Sequence, residues 1–539
     1  MKYTFYILVV FLSFSIQGQN TLGTITNQAS SYNGYTLFAP NASKNTYLIN
    51  NCGEIINQWT SEYNPGNSCY LLENGNLLRA GKIANSSITF GGVGGKIQLF
   101  DWDNNLLWEY TYSSSQFSQH HDIYPLPNGN VLMLAVDTMS QLEAIENGRD
   151  PSLILDEKIY NEKIIELQPD GTTGANIIWE WNIKDHLIQD FDITKNNYGI
   201  VSNHPELLDF NFLNNNNGNA NWLHINSIQY NSNLDQIILS SRLLSEVYII
   251  DHSTTTAEAA SHAGGLYGKG GDLLYRWGNP IAYNMGDSSN QTLFSQHYPH
   301  WIPDGLVDSG KILVFSNGNS IRYSSVNIFS PPITSPGVYS YDNVNPYGPT
   351  SPEWNYIAPN PSDFFSSILS SAQRLPNGNT LICDGDSGYF FEIDPSKNIV
   401  WEYINPVTAN GVLSQGDNPT ANLVFRALKY AQDYPAFIGK DLTPGVPVEQ
   451  NPNLDNCTSL NISKNTLSEI KIYPNPSKDY FNISTPSVIK KIEVYNLMGK
   501  LSKTNNNSKN ISISELPNGM YILKIYSEEK IHFNKVIKN

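Results

Sequence analysis

Charge is sparse in this chain of 539 residues. Asp, Glu, Lys and Arg make up 15% of it, and 32 basic residues stand against 49 acidic ones, for a net charge of −17. So little positive charge argues against nucleic acid or an anionic membrane as a partner. Long hydrophobic runs are missing too. After residue 18 none reaches the length that crosses a bilayer, so no stable membrane insertion is expected. Cysteine is limited to Cys52, Cys69, Cys383 and Cys457, and none stands in a CxxC or Cys/His zinc spacing. A Cys52–Cys69 bridge suits an oxidising compartment, although four cysteines allow three connectivities.

What the chain does have begins at its start. MKYTFYILVVFLSFSIQG (1–18) is a lysine followed by an apolar run and a small residue, which reads as a secretory signal peptide. Beyond it one unit recurs. Hairpins with Asn-Gly or a near variant at the turn appear at 71–78, 125–134, 229–238, 301–315 and 374–382. Each is followed by a strand with paired aromatics: Trp108 and Tyr110, Trp179 and Trp181, Tyr275 and Trp277, Trp354 and Tyr356, Trp401 and Tyr403. A further copy, ending in Trp59, precedes the first hairpin, and NLVFRALKY (422–430) supplies the start of a sixth. Repeats of about four strands with one aromatic motif each point to a β-propeller. The expected fold is all-β: a six-bladed β-propeller over 45–440, followed by a small C-terminal β-sandwich. Seven blades or an open sandwich are the alternatives. A short lead (19–44) precedes the propeller. A Pro- and Asn-rich linker (441–469) separates it from the tail, 470–539, which holds eleven lysines against five acidic residues.

Aligned by their turns, the hairpins place His121, His224 and His297 seven residues before Asn128, Asn231 and Asp304. Ser370 lies seven before Asn377. In a propeller the innermost strand of each blade runs along the central channel, so repeat-aligned residues form a ring. Within LHINSIQYNSNLDQIILSSR (223–242) a turn centred on Asn233 sets His224 opposite Arg242, with Asn226 on the face of His224. Imidazoles, an amide and a guanidinium together suit a small oxyanion. Three histidines also suit zinc or copper, but a guanidinium repels a cation, so neither metal nor cofactor is expected. A neutral imidazole can instead act as a nucleophile while its neighbours hold the oxygens of a tetrahedral anion. Gly385–Gly388 (GDSG), YGKGGD (267–272) and DWDNN (101–105) lack the partners or spacing of a serine-protease loop, a P-loop or a calcium loop.

At these residues the chain resembles the bacterial aryl-sulfate sulfotransferases, which move a sulfuryl group between phenols without a nucleotide donor. The matching motifs are QHHDIYPLPNGN (119–130), WLHINSIQYN (222–231), DQIILSSR (235–242), DHSTTTAEAA (251–260), LLYRWGNP (273–280), SQHYPHWIP (295–303) and SAQRLPNGNTLICDGD (371–386). The resemblance implies a six-bladed propeller and a transiently sulfated nucleophile, His297. It implies that His224, Asn226 and Arg242 hold the sulfate oxygens with a histidine of the HHD motif, His121 by the turn alignment rather than His120. Ser370, His120 and His300 are further expected substrate contacts, and Arg374 a neighbour. The partners implied are small phenols and aryl sulfates. A non-catalytic propeller that binds sulfated ligands, or an aryl sulfatase, is the alternative reading. Better-known members pair through an amino-terminal sandwich for which there is no room before the first repeat, so a monomer is expected. The tail resembles a type A sorting domain of the type IX secretion system through YPNPS (473–477), VYNLMGK and LPNGMYILKI. That resemblance implies the type IX machinery as a partner and a secreted or cell-surface location.

Overall fold

The computed structural model describes residues 20–214, 218–460, 471–485, 488–496, 500–527 and 531–539. The signal peptide expected at 1–18 lies outside them. Two compact units emerge, one reaching Thr458 and one from Ser459 to Asn539.

Local chemistry sets the hairpins of the first unit. In three of them the turn is Asn-Gly-Asn, and the glycines Gly75, Gly129 and Gly378 share φ of 87–88°, a left-handed conformation that favours glycine. The Oδ1 atoms of Asn74, Asn128 and Asn377 each accept the N–H two residues on, at 3.0–3.1 Å. The same residue triplet therefore folds the same way three times.

The strands assemble into six antiparallel sheets of four or five strands. Their first strands are Pro65–Leu71 (sheet I), Phe117–Pro125 (II), Ile225–Asn231 (III), His297–Trp301 (IV), Ser371–Arg374 (V) and Val424–Ala431 (VI). These first strands touch one another in cyclic order, I to VI and VI back to I. An apolar core fills each gap between neighbours. Leu239 and Trp181 belong to the one between II and III, and Phe38 and Trp401 to the one between V and VI. The repeated tryptophans pin the sheets together. The indole N–H of Trp59, Trp108, Trp181, Trp277 and Trp401 each reaches a backbone carbonyl of the next sheet's segment, at Asp101, Gly174, Gly271, Pro349 and Asn51, over 2.6–2.8 Å.

Three sequence expectations change. The lead expected over 19–44 is strand: Gly23–Asn27 adds a fifth strand to sheet V, and Gly34–Pro40 pairs with Val424–Ala431 in sheet VI. Sheet VI thus joins the two ends of the unit. The linker expected from 441 is packed onto the unit as far as Cys457, with Pro447 bridged to Glu54 and Val448 buried. The disulfide is Cys52–Cys457, not Cys52–Cys69. Cys69 lies in the core between sheets VI and I, while Cys52 sits in a turn facing the returning chain.

The second unit holds a three-stranded and a four-stranded antiparallel sheet. Phe481, Ile483, Ile492, Ile511, Leu523 and Val536 form its core. No helix among the described residues is long and apolar enough to cross a membrane.

Peptide mapping without reductant should recover Cys52 linked to Cys457, with Cys69 and Cys383 alkylated only after unfolding. Replacing Cys457 by Ser should lower stability by about 2–4 kcal/mol, read from urea unfolding. A Cys52–Cys69 peptide would contradict the assignment.

Candidate active site

Five of the six first strands slip register near their start. The breaks fall between Pro65 and Cys69, between Gln119 and Ile123, between Ile225 and Ser227, between His297 and His300, and between Val424 and Ala427. Asn67, His121 and Tyr298 within these breaks, and His224 just before its own, take left-handed backbone at φ of 92°, 47°, 52° and 52°. A bulge of this kind re-aims a side chain out of the strand's alternation. The hairpin of sheet III shows how the register works out. Its loop is four residues, so Asn231 pairs with Gln236, one position off the frame expected from a turn centred on Asn233. The bulge at Asn226 restores that frame, and Arg242 N donates to His224 O at 3.1 Å.

His121, His224, His297 and Arg242 line one cavity of about 290 Å³, together with Asn67 and Lys82. None of the lining residues is acidic. The His121 and His224 rings lie 4.7 Å apart. Phe90 stands over both, at 6.1 and 5.9 Å. Gly92 is necessary beside them: a Cβ there would meet His121 Nε2 at 2.2 Å. Arg242 donates to Ser367 O at 3.3 Å, and no carboxylate pairs with it among the described residues. A partly buried guanidinium without a counter-ion carries a desolvation cost, and an anionic ligand would relieve it.

The imidazoles are neutral. Burial, with Arg242 next, pushes His297 down to about 3. Burial and Arg242 hold His224 well below its ordinary value, and burial and His224 do the same for His121. His297 Nδ1 lies 2.6 Å from Asn317 Oδ1. The Asn317 Nδ2 donates to Ser366 O and Leu369 O at 2.9 and 3.1 Å, which fixes the amide's orientation. The hydrogen of His297 is therefore on Nδ1 and the lone pair on Nε2.

The other expected residues fall elsewhere. Asn226 is buried and donates to Gln296 O at 2.8 Å, so it braces the strand just before His297 rather than lining the cavity. Ser370 Oγ is occupied by Ser366 Oγ at 2.8 Å and Gly385 N at 3.0 Å, and it is Ile368 and Leu369 that reach the cavity. His120 stands behind His121, Nδ1 to Nδ1 at 3.0 Å, with Glu162 at 3.5 Å from its Nε2. Burial pushes that carboxyl up to about 8. The His300 ring lies tilted against Tyr298, centroids 4.6 Å apart, and sits near the buried Arg426–Asp122 pair rather than on the cavity lining. Arg374 pairs with Asp308 and lies over Trp354. For Asn226 and His300 the strand offset misleads because a bulge shifts the side-chain alternation by one position. Asn67 is the contact that the sequence offered but that went unused: it lies seven residues before Asn74, in register with the histidines. Asn317, Lys82 and Phe90 carry no such signal.

A scan of known families places this cavity within a match to Arylsulfotransferase (ASST) over residues 23–427. The chain belongs to the arylsulfotransferase family. Residues 471–539 match the secretion system C-terminal sorting domain, which marks the chain for type IX export to the cell surface or medium. Among curated proteins it is similar to the arylsulfate sulfotransferase AssT of Lelliottia amnigena, 28% identical over 179 residues, 32% of this chain and 29% of that one. It is also similar to an ulvan lyase of Nonlabens ulvanivorans, 32% identical over 88 residues, 15% of this chain and 16% of that one. The chain thus spans less than a third of the length of these curated relatives. Similar solved structures include a protein of unknown function from Bacteroides caccae, with 12% identity, 74% of this chain and 98% of that one covered, and a TM-score of 0.38. A virginiamycin B lyase from Staphylococcus aureus has 10% identity, 71% and 88% coverage, and a TM-score of 0.32.

Histidine resonances followed by NMR should show His120 and His297 uncharged at pH 6, because burial moves both down to about 3. His252, held between Asp235 and Glu166 and raised to about 9, should be charged at the same pH. A His297 that titrates near 6.5 would contradict the burial assigned to it.

Proposed function

We propose that the first unit is a six-bladed β-propeller with its active site among the inner strands, followed by a β-sandwich sorting domain. The cyclic contact of the six first strands and the six cores between them support this reading. On the same reading residues 1–18 are a signal peptide and the chain works as a monomer.

The activity is sulfuryl transfer from an aryl sulfate to a phenol, without a nucleotide donor, through a sulfated His297. One observation carries it: three neutral imidazoles and an unpaired guanidinium share an acid-free cavity, and one imidazole has its Nε2 lone pair fixed. The ester is a monoanion, which Arg242 offsets. His297 Nε2 forms a bond to sulfur as the S–O bond breaks, and the phenolate leaves with the electron pair. An incoming phenol loses its proton to solvent, and the phenolate oxygen bonds to sulfur as the S–N bond breaks, returning neutral His297. Such chemistry needs mostly positioning and charge stabilisation. With His121, His224 and His297 all neutral, no imidazolium stands ready to protonate the leaving oxygen. Donors of acidic phenols are therefore favoured.

His297→Ala should lower transfer from a chromogenic aryl sulfate by at least about 10⁴-fold, as expected for loss of a nucleophile. Turnover at the wild-type rate would overturn the assignment. In the parent, kcat/KM should hold steady from pH 7.5 to 5.5. His297 loses activity only when protonated, and its pKa of about 3 lies well below that range.

A further inference from the structure

Two asparagines outside the turn-aligned ring face Nδ1 of two cavity histidines with opposite ends of their amides. Asn317 presents Oδ1 to His297 at 2.6 Å, and its Nδ2 is committed to two carbonyls that can only accept. Asn221 presents Nδ2 to His224 Nδ1 at 2.7 Å. An amide nitrogen only donates, so His224 Nδ1 accepts and its hydrogen sits on Nε2. Both rings line the same cavity. One offers it a lone pair and the other a hydrogen.

We infer that Asn221 and Asn317 are positioning residues that lock opposite tautomers, making His297 the nucleophile and His224 a hydrogen-bond donor to the sulfuryl oxygens. The inference rests on the sulfuryl-transfer reading and deepens it. His224 is held uncharged by burial and Arg242, so it gives a hydrogen bond without losing a proton.

Asn317 also sets the reactivity of the intermediate. Attack on the ester leaves a sulfonate on Nε2, the original hydrogen on Nδ1 and a free phenolate. The ring is then cationic and the sulfonate anionic, which balances the charge. A carboxylate beside Nδ1 would take that hydrogen, whereas an amide oxygen is too weak a base to do so. The ring therefore keeps it and departs from sulfur in the second step as neutral imidazole. Without it the leaving group would be imidazolate, a far stronger base and a poorer leaving group.

The test uses the full chain. ¹⁵N-histidine spectra of the resting protein should show the hydrogen on Nδ1 of His297 and on Nε2 of His224. Asn221→Asp should move the His224 hydrogen to Nδ1, since a carboxylate only accepts. Asn317→Asp should keep the His297 tautomer and the initial burst of phenolate from a chromogenic donor. It should slow transfer to an added phenol by at least about tenfold. The same tautomer on both rings, or Asn317→Asp turning over as fast as the parent, would overturn the inference. Asn317→Gln, which retains an amide, should recover more of the second step than Asn317→Asp, and the reverse order would also overturn it. If the resting tautomers are as assigned but the parent gives no burst, the tautomer assignment stands and the sulfuryl-transfer reading fails.

Discussion

The cavity depends on a guanidinium charge that the protein does not neutralise. Arg242 is partly buried and meets a backbone carbonyl but no carboxylate among the described residues. Two consequences follow from that placement. Together with burial, its positive charge keeps His224 and His297 uncharged, which a nucleophile requires and a base-like cluster in water would not give. It also leaves the site, with Lys82 on its lining, short of negative charge, which a sulfate monoester would supply. Arg426, a buried cation on the first strand of sheet VI, is treated in the opposite way: Asp122 and the Tyr70 hydroxyl pair with it. One guanidinium is structural and closed off, and the other is left for a ligand.

Holding such a site open takes a rigid frame. The frame is built from short-range instructions repeated around a ring. Asn-Gly-Asn turns set three of the hairpins, bulges near the start of the first strands re-aim side chains, and indole N–H groups tie five of the six sheets to the next. Sheet VI takes strands from both ends of the unit, so the last sheet cannot form without the first segment. The Cys52–Cys457 bridge holds the returning chain on the same side of that closure.

How much of this was legible follows from the range of each signal. The turns are local, and aligning the hairpins by them found His121, His224, His297 and, through its opposite register, Arg242. The same ruler would have found Asn67. It failed for Asn226 and His300 because bulges break the alternation that links an offset to a face, and for Ser370 because Leu369 and Ser370 take left-handed backbone just before their strand. Asn317 was invisible for another reason. Its role comes from two carbonyls at Ser366 and Leu369, about fifty residues away in sequence, which fix the amide. The disulfide was misread because its two cysteines are 405 residues apart, and proximity in space had no trace in the spacing.

The central claim is a covalent sulfuryl group on His297. The direct measurement is mass spectrometry of the protein quenched after exposure to an aryl sulfate without acceptor. The account predicts a gain of one sulfuryl group confined to the peptide that contains His297, lost again when a phenol is added. An unmodified His297 peptide from protein that is turning over, or a sulfuryl group on another residue, would contradict it.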